Sequence, residues 1–213
     1  MSVLVKICGL KRPEPLEAAL DAGADMVGFV FFEKSPRHLD LAAARALSAQ
    51  TRGRAQKVAL VVDADDARIA DIVEALAPDW LQLHGAETPE RVASLRATFG
   101  LPILKAIGLA DRADLARAKP YEKVSDRLLF DAKPPKDAVL PGGNGLPFDW
   151  TLLRDHAVGG DWMLSGGLDA QNVAEAIRLT GARAVDVSSG VEDAPGEKSV
   201  DKIRAFIAAA RAA

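Results

Sequence analysis

The chain has 213 residues, 49% of them hydrophobic, with 27 basic and 30 acidic side chains and a formal net charge of -3. That length allows one or two domains, and a domain of this size buries roughly 70% of the surface its unfolded chain exposes, so no staples are needed. The balanced charge provides no basic stripe to attract nucleic acid or anionic lipid, and the single cysteine excludes an internal disulfide or a multi-cysteine metal cage.

The segment Met1 to Leu10 has a lysine inside its apolar run and lacks a signal-peptide core and cleavage site, while no apolar stretch reaches about 18 residues. The expectation is a cytoplasmic protein with a small, freely diffusing partner, no membrane and no nucleic acid.

Short apolar runs alternate with longer amphipathic segments along the chain, the pattern of βα units. Strands are predicted near Val3 to Cys8, Asp25 to Phe31, Lys57 to Val62, Trp80 to His84, Ile103 to Ile107, Arg127 to Asp131, Trp162 to Ser165 and Ala184 to Val187. The intervening segments carry apolar residues three and four apart, as in Ile69, Ile72, Val73 and Leu76, or Val173, Ala176 and Ile177. Helix starts are marked by Pro13 and Pro15 for the first, by Thr88 before Pro89 and Glu90 for the fourth, and by Asp169 for the seventh. Ala132 to Pro147, with four prolines and three glycines, reads as a long loop after strand 6.

Eight βα units with no composition shift between them predict a single domain over residues 1–213, a closed α/β TIM-type (β/α)8 barrel. The alternative, an open doubly wound sheet, more often shows a Gly-rich turn after its first strand, where this chain has only Gly9.

Barrel sites gather where strands end, and strand alternation tells which side chains point inward. Leu4, Lys6 and Cys8 share one face of strand 1, Gln82 and His84 one face of strand 4, and Leu129 and Asp131 one face of strand 6. Cys8, His84 and Asp131 are thus three polar residues arriving independently at one rim. Singly, each has a bland reading: a lone Cys is a small hydrophobe, and a strand-end Asp caps a turn. Alternation also places Lys6, Lys105 and Asp186 inward, where a buried ion-pair network is the expected role.

Ser165-Gly166-Gly167 and Ser188-Ser189-Gly190 follow strands 7 and 8, the two positions where barrels commonly hold phosphate. Glycine lets backbone N–H groups approach the oxygens, serine adds donors, and a short helix beginning near Ser189 favours an anion. In Ser35-Pro36-Arg37-His38, the proline stiffens a loop presenting a guanidinium suited to a carboxylate, although a solvated loop arginine is the plainer reading.

These residues resemble the phosphoribosylanthranilate isomerase family of tryptophan biosynthesis across nearly the whole chain. Six ordered motifs carry the resemblance: Lys6-Ile7-Cys8-Gly9-Leu10; Gly28-Phe29 through Ser35-Pro36-Arg37; Leu81-Gln82-Leu83-His84-Gly85; Gly142-Gly143-Asn144-Gly145 leading to Phe148-Asp149-Trp150; Leu164-Ser165-Gly166-Gly167-Leu168; and Val187-Ser188-Ser189-Gly190-Val191-Glu192. The resemblance implies an Amadori rearrangement of N-(5′-phosphoribosyl)anthranilate, without a cofactor, in a monomer or homodimer. It implies Asp131 as the acid that opens the furanose ring and Cys8 as the base that removes the C2′ proton. Arg37 would hold the anthranilate carboxylate, the Gly/Ser turns (Gly166, Gly167, Ser188, Ser189 and Gly190) the phosphate, and His84 would line the pocket.

That chemistry asks for a thiol brought modestly down from about 8.5, for example by Lys6, and a carboxyl raised from about 3.9. The run Ala132-Lys133-Pro134-Pro135-Lys136 departs from the family pattern and is expected to alter the shielding of Asp131 or to add lysines near an anionic substrate. Other phosphate-binding barrels fit less well. Histidine-pathway isomerases are expected to pair aspartates at strand ends 1 and 5, and indole-glycerol-phosphate synthase needs a lysine–glutamate constellation, whereas strand 1 here ends in Cys8. A non-catalytic binding barrel would have no use for an inward thiol opposite an inward acid.

Overall fold

The computed structural model describes residues 3–134, 140–143, 148–154 and 160–213. Its eight parallel strands are β1 (Leu4–Cys8), β2 (Met26–Val30), β3 (Gln56–Val61), β4 (Trp80–Leu83), β5 (Ile103–Leu109), β6 (Arg127–Ala132), β7 (Trp162–Leu164) and β8 (Ala184–Val187). They close into a barrel in chain order, β8 returning to β1 with Lys6 opposite Asp186. Each strand is followed by a helix: α1 (Pro13–Asp21), α2 (Leu41–Thr51), α3 (Asp66–Leu76), α4 (Pro89–Phe99), α5 (Arg112–Ala116), α6 (Thr151–Arg154), α7 (Val173–Thr180) and α8 (Val200–Arg211). Among the described residues, no helix is long and apolar enough to cross a membrane.

The local reasons match the sequence signals. Pro13 opens α1, where its missing N–H costs nothing, and the Thr88 hydroxyl accepts from Arg91 N at 3.3 Å to cap α4. Helix α7 starts later than Asp169 suggests. The Asp169 carboxylate accepts from the N–H groups of Gln171 and Asn172, which makes a turn before the helix begins at Val173. Of the predicted long loop, residues 135–139 and 144–147 lie outside the described residues.

Two apolar layers result from alternation. Met26, Val58, Leu104, Ala106, Leu129, Met163 and Ala184 fill the barrel interior, with Cys8, Val30 and Leu60 forming a smaller cluster toward the rim. The opposite strand faces, including Val5, Ile7, Leu81, Leu83 and Val185, pack with helix residues such as Leu16, Ile72 and Phe206.

Lys105 corrects the alternation argument. Its neighbours Leu104 and Ala106 occupy the interior, so Lys105 shares the helix-facing side with Ile103 and Ile107. There Nζ donates to Glu87 Oε2 at 2.9 Å and to Gly85 O at 2.8 Å, away from the inward Lys6–Asp186 pair, whose contact is 2.7 Å. Alternation points a lone polar residue of an apolar strand inward, but the partner of Lys105, Glu87, sits in a loop that periodicity cannot place.

After β8 the short helix expected near Ser189 is a three-residue 3₁₀ turn, Ser189–Val191. A hairpin of β9 (Glu192–Ala194) and β10 (Glu197–Lys198), absent from the sequence expectation, comes next. Its strands are too short to show a period.

Candidate active site

A cavity with about 780 Å³ of empty space, including its open mouth, lies at the C-terminal ends of the strands. Cys8, Arg37, His84, Asp131, Gly166, Gly167, Ser188 and Ser189 all line it, so one site gathers every predicted residue except Gly190. Gly190 has a supporting place. A Cβ there would overlap the carbonyl oxygen of Leu168, so only glycine lets the turn after β8 lie against the turn after β7.

Cys8 ends β1 and is buried at 3% exposure. Room for its sulfur comes from the neighbouring strand: β1 and β2 pair Cys8 with Gly28, and a Cβ on Gly28 would sit 2.8 Å from Sγ. The expected modest lowering of the thiol is not found. Burial pushes the Cys8 thiol above its usual range, Lys6 and Lys198 opposing and Asp186 adding to the rise. Lys6 is less effective than its proximity suggests because its ammonium is paired with Asp186, which also accepts from the Ser165 hydroxyl at 3.3 Å. For Lys6 itself, burial lowers the ammonium, but Asp186 and Cys8 outweigh it and hold the group above its ordinary value.

The buried Asp131 carboxyl has a polar neighbour at each oxygen. Oδ1 accepts from Ala132 N at 2.9 Å, and Oδ2 lies 3.4 Å from His84 Nε2. His84 Nδ1 is in turn 3.3 Å from Gln82 Nε2 on the same inward face. Gly142 covers the pair, since a Cβ there would lie 2.5 Å from Asp131 Oδ2 and 2.6 Å from His84 Nε2.

Arg37 is not the solvated loop arginine of the plainer reading. It is buried at 5% exposure and forms a bidentate pair with Glu192, Nε to Oε1 at 2.7 Å and Nη2 to Oε2 at 2.8 Å. Nη2 also donates to Gly143 O at 3.1 Å. Glu192 is the first residue of the unexpected hairpin and Lys198 the last, and Lys198 Nζ donates to Glu192 Oε1 at 2.7 Å, to Ser188 O at 2.8 Å and to Ser188 Oγ at 3.2 Å. Burial lowers Lys198 to about 8, against the pull of Glu192 and with a further push from Arg37. Glu192 is lowered too, for a different reason: burial raises it, but Arg37 and Lys198 together hold its carboxylate below the ordinary value.

Both glycine turns face the cavity. Gly166 and Gly167 have φ of 86° and 66°, a left-handed pair that presents backbone at the cavity wall. Ser188 and Ser189 complete the rim, the Ser188 hydroxyl donating to Cys8 O at 3.3 Å. Lys133, from the departing run after β6, reaches the cavity wall but gives its ammonium to Asp114 at 2.8 Å rather than to the interior. Pro135 and Lys136 lie outside the described residues, as do Asn144 and Gly145.

Sequence reasoning missed the roles of Gln82, Glu192 and Lys198. Gln82 had a signal, because alternation sets it on the inward face beside His84. Glu192 closed a quoted motif without any partner being visible, and Lys198 had no signal before the hairpin was known.

A family model for N-(5′-phosphoribosyl)anthranilate isomerase matches residues 5–209. The chain is 62% identical to the N-(5′-phosphoribosyl)anthranilate isomerase of Nitrobacter hamburgensis over 213 residues, covering all of this chain and 95% of the relative. It is 59% identical to a Rhodopseudomonas palustris protein of the same name, with both chains fully covered. Among solved structures, the phosphoribosylanthranilate isomerase of Thermotoga maritima superposes with a TM-score of 0.88 at 34% identity, covering 99% of this chain and 100% of that one. A phosphoribosylanthranilate isomerase in complex with reduced 1-(o-carboxyphenylamino)-1-deoxyribulose 5-phosphate superposes at 0.84, with the same identity and coverage. A thiol, a carboxyl, a guanidinium and two glycine turns that line one cavity therefore occur in a chain that belongs to the N-(5′-phosphoribosyl)anthranilate isomerase family.

Proposed function

We propose that this chain converts N-(5′-phosphoribosyl)anthranilate into 1-(2-carboxyphenylamino)-1-deoxyribulose 5-phosphate, acting in the cytoplasm as one catalytic domain, as a monomer or homodimer. The observation that carries the reading is the placement of Cys8 and Asp131 on the walls of one cavity whose rim holds the glycine turns of β7 and β8. The assembly state takes support from the T. maritima relative, which is described as dimeric with engineered monomers.

Asp131 gives its proton to the furanose ring oxygen, the C1′–O bond breaks, and the electron pair from nitrogen forms a protonated Schiff base. Cys8, as thiolate, removes the C2′ proton, and the electrons left on carbon neutralise the iminium to give an enolamine. Tautomerisation returns a proton to C1′ and leaves a ketone at C2′. A buried thiol with a raised pKa is a strong base once ionised, and the cationic Schiff base beside it favours ionisation at the step that needs it. The turns carrying Gly166, Gly167, Ser188 and Ser189 bind phosphate, and Arg37 binds the anthranilate carboxylate through Nη1, the nitrogen that neither Glu192 nor Gly143 O engages.

The test is direct conversion of N-(5′-phosphoribosyl)anthranilate by the purified chain, with Cys8→Ala and Asp131→Asn alongside. Each variant is expected to lose on the order of a hundredfold or more in kcat, the range for a general acid or base. Turnover near wild type in either variant removes that residue from its role.

A further inference from the structure

The inward face of β4 ends in two side chains that form a chain with Asp131. Gln82 is fully buried, and its Nε2 lies 3.3 Å from His84 Nδ1. On the other side of the ring, His84 Nε2 lies 3.4 Å from Asp131 Oδ2. A neutral imidazole carries one hydrogen, and whichever nitrogen accepts forces the other to donate. The amide nitrogen of Gln82 has only hydrogens to offer, so Nδ1 accepts and Nε2 carries the hydrogen toward Asp131.

We propose that Gln82 is a positioning residue that locks His84 in the Nε2–H tautomer and thereby aims the Asp131 carboxyl. This rests on the isomerase reading above and goes beyond it, since it gives His84 an orienting task. With Oδ1 accepting from Ala132 N and Oδ2 facing His84 Nε2 at 3.4 Å, an Nε2–H tautomer leaves the acid's proton to the lone pairs those two groups do not face. Once the proton has moved to the ring oxygen, the same two donors stabilise the carboxylate that remains. Gln82 Oε1 is buried and has no hydrogen-bond partner among the described residues, a cost that a leucine or methionine filling the same space would not carry, which favours a use for the amide nitrogen.

Two readouts test this. Nitrogen-15 NMR of the unaltered chain, at a pH where imidazole is neutral, is expected to show His84 with Nδ1 bare and Nε2 protonated. The chain has three histidines, so the resonance is assigned by its loss in His84→Asn. Gln82→Met, which keeps the volume and removes the donor, is expected to lose this tautomer and to lower kcat roughly tenfold or more while KM stays within about twofold, the scale of losing a group that orients a functional histidine. Gln82→Glu, whose carboxylate accepts from Nδ1, is expected to do the same, so a folding failure of one variant leaves the other to decide. A hydrogen on Nδ1 in the unaltered chain, or a folded Gln82 variant with wild-type kcat, overturns the proposal. No turnover by the unaltered chain would strike the isomerase reading, and the NMR result would still decide the tautomer.

Discussion

Arg37 and Glu192 lie in a buried fork-to-fork pair, two bonds of 2.7 and 2.8 Å joining a loop after β2 to the hairpin after β8. The pair fixes the plane of the guanidinium and, with Gly143 O on Nη2, leaves Nη1 facing away from both partners, so on the proposed reading Glu192 orders the arginine without touching substrate. Glu192→Gln is expected to raise KM about tenfold and to change kcat less, because an arginine that must be ordered on binding costs affinity first. Steady-state kinetics decides: an unchanged KM would mean that Arg37 needs no such partner.

Lys198 ties that pair to the turn after β8 and, being held near 8 rather than 10.5, binds fewer protons folded than unfolded between those values. Stability from this group therefore increases as pH rises from about 8 toward 10.5, by at most about 1.4 kcal/mol per pH unit. Denaturant titrations across that window should show a steeper upward trend in the unaltered chain than in Lys198→Met. Parallel trends in the two would show that the ammonium is not under a burial penalty.

Gly142 matters for what it leaves out. A methyl there would press on Asp131 Oδ2 and His84 Nε2 at 2.5 and 2.6 Å, so Gly142→Ala is expected to lower kcat by at least tenfold while the unfolding midpoint changes little. Loop adjustment that restored full turnover would show that the loop is not fixed over the acid.

Gly190→Ala tests the other rim. Overlap with Leu168 O must separate the turns after β7 and β8, so affinity for inorganic phosphate as a competitive inhibitor should fall, together with about 1–3 kcal/mol of stability. Wild-type phosphate inhibition in this variant would remove the two-turn cradle.

The eight strands and the inward placement of Cys8, His84 and Asp131 were legible from the chain because period-two alternation and short βα spacing are local properties. The same rule failed at Lys105, since a lysine's preference for an outward loop carboxylate over the barrel interior depends on where Glu87 folds back. The sequence by itself determined the barrel, the rim and the presence there of Cys8, Asp131 and the glycine turns. Only the tertiary structure decided which charges meet. Glu192 reaches Arg37, 155 residues away in the chain, the hairpin folds Lys198 back onto Ser188, Asp186 takes up the charge of Lys6, and burial then moves the Cys8 thiol opposite to the direction its lysine neighbour alone would give. Desolvation and ion pairing depend on distances between residues far apart in the chain, and no local pattern encodes those distances.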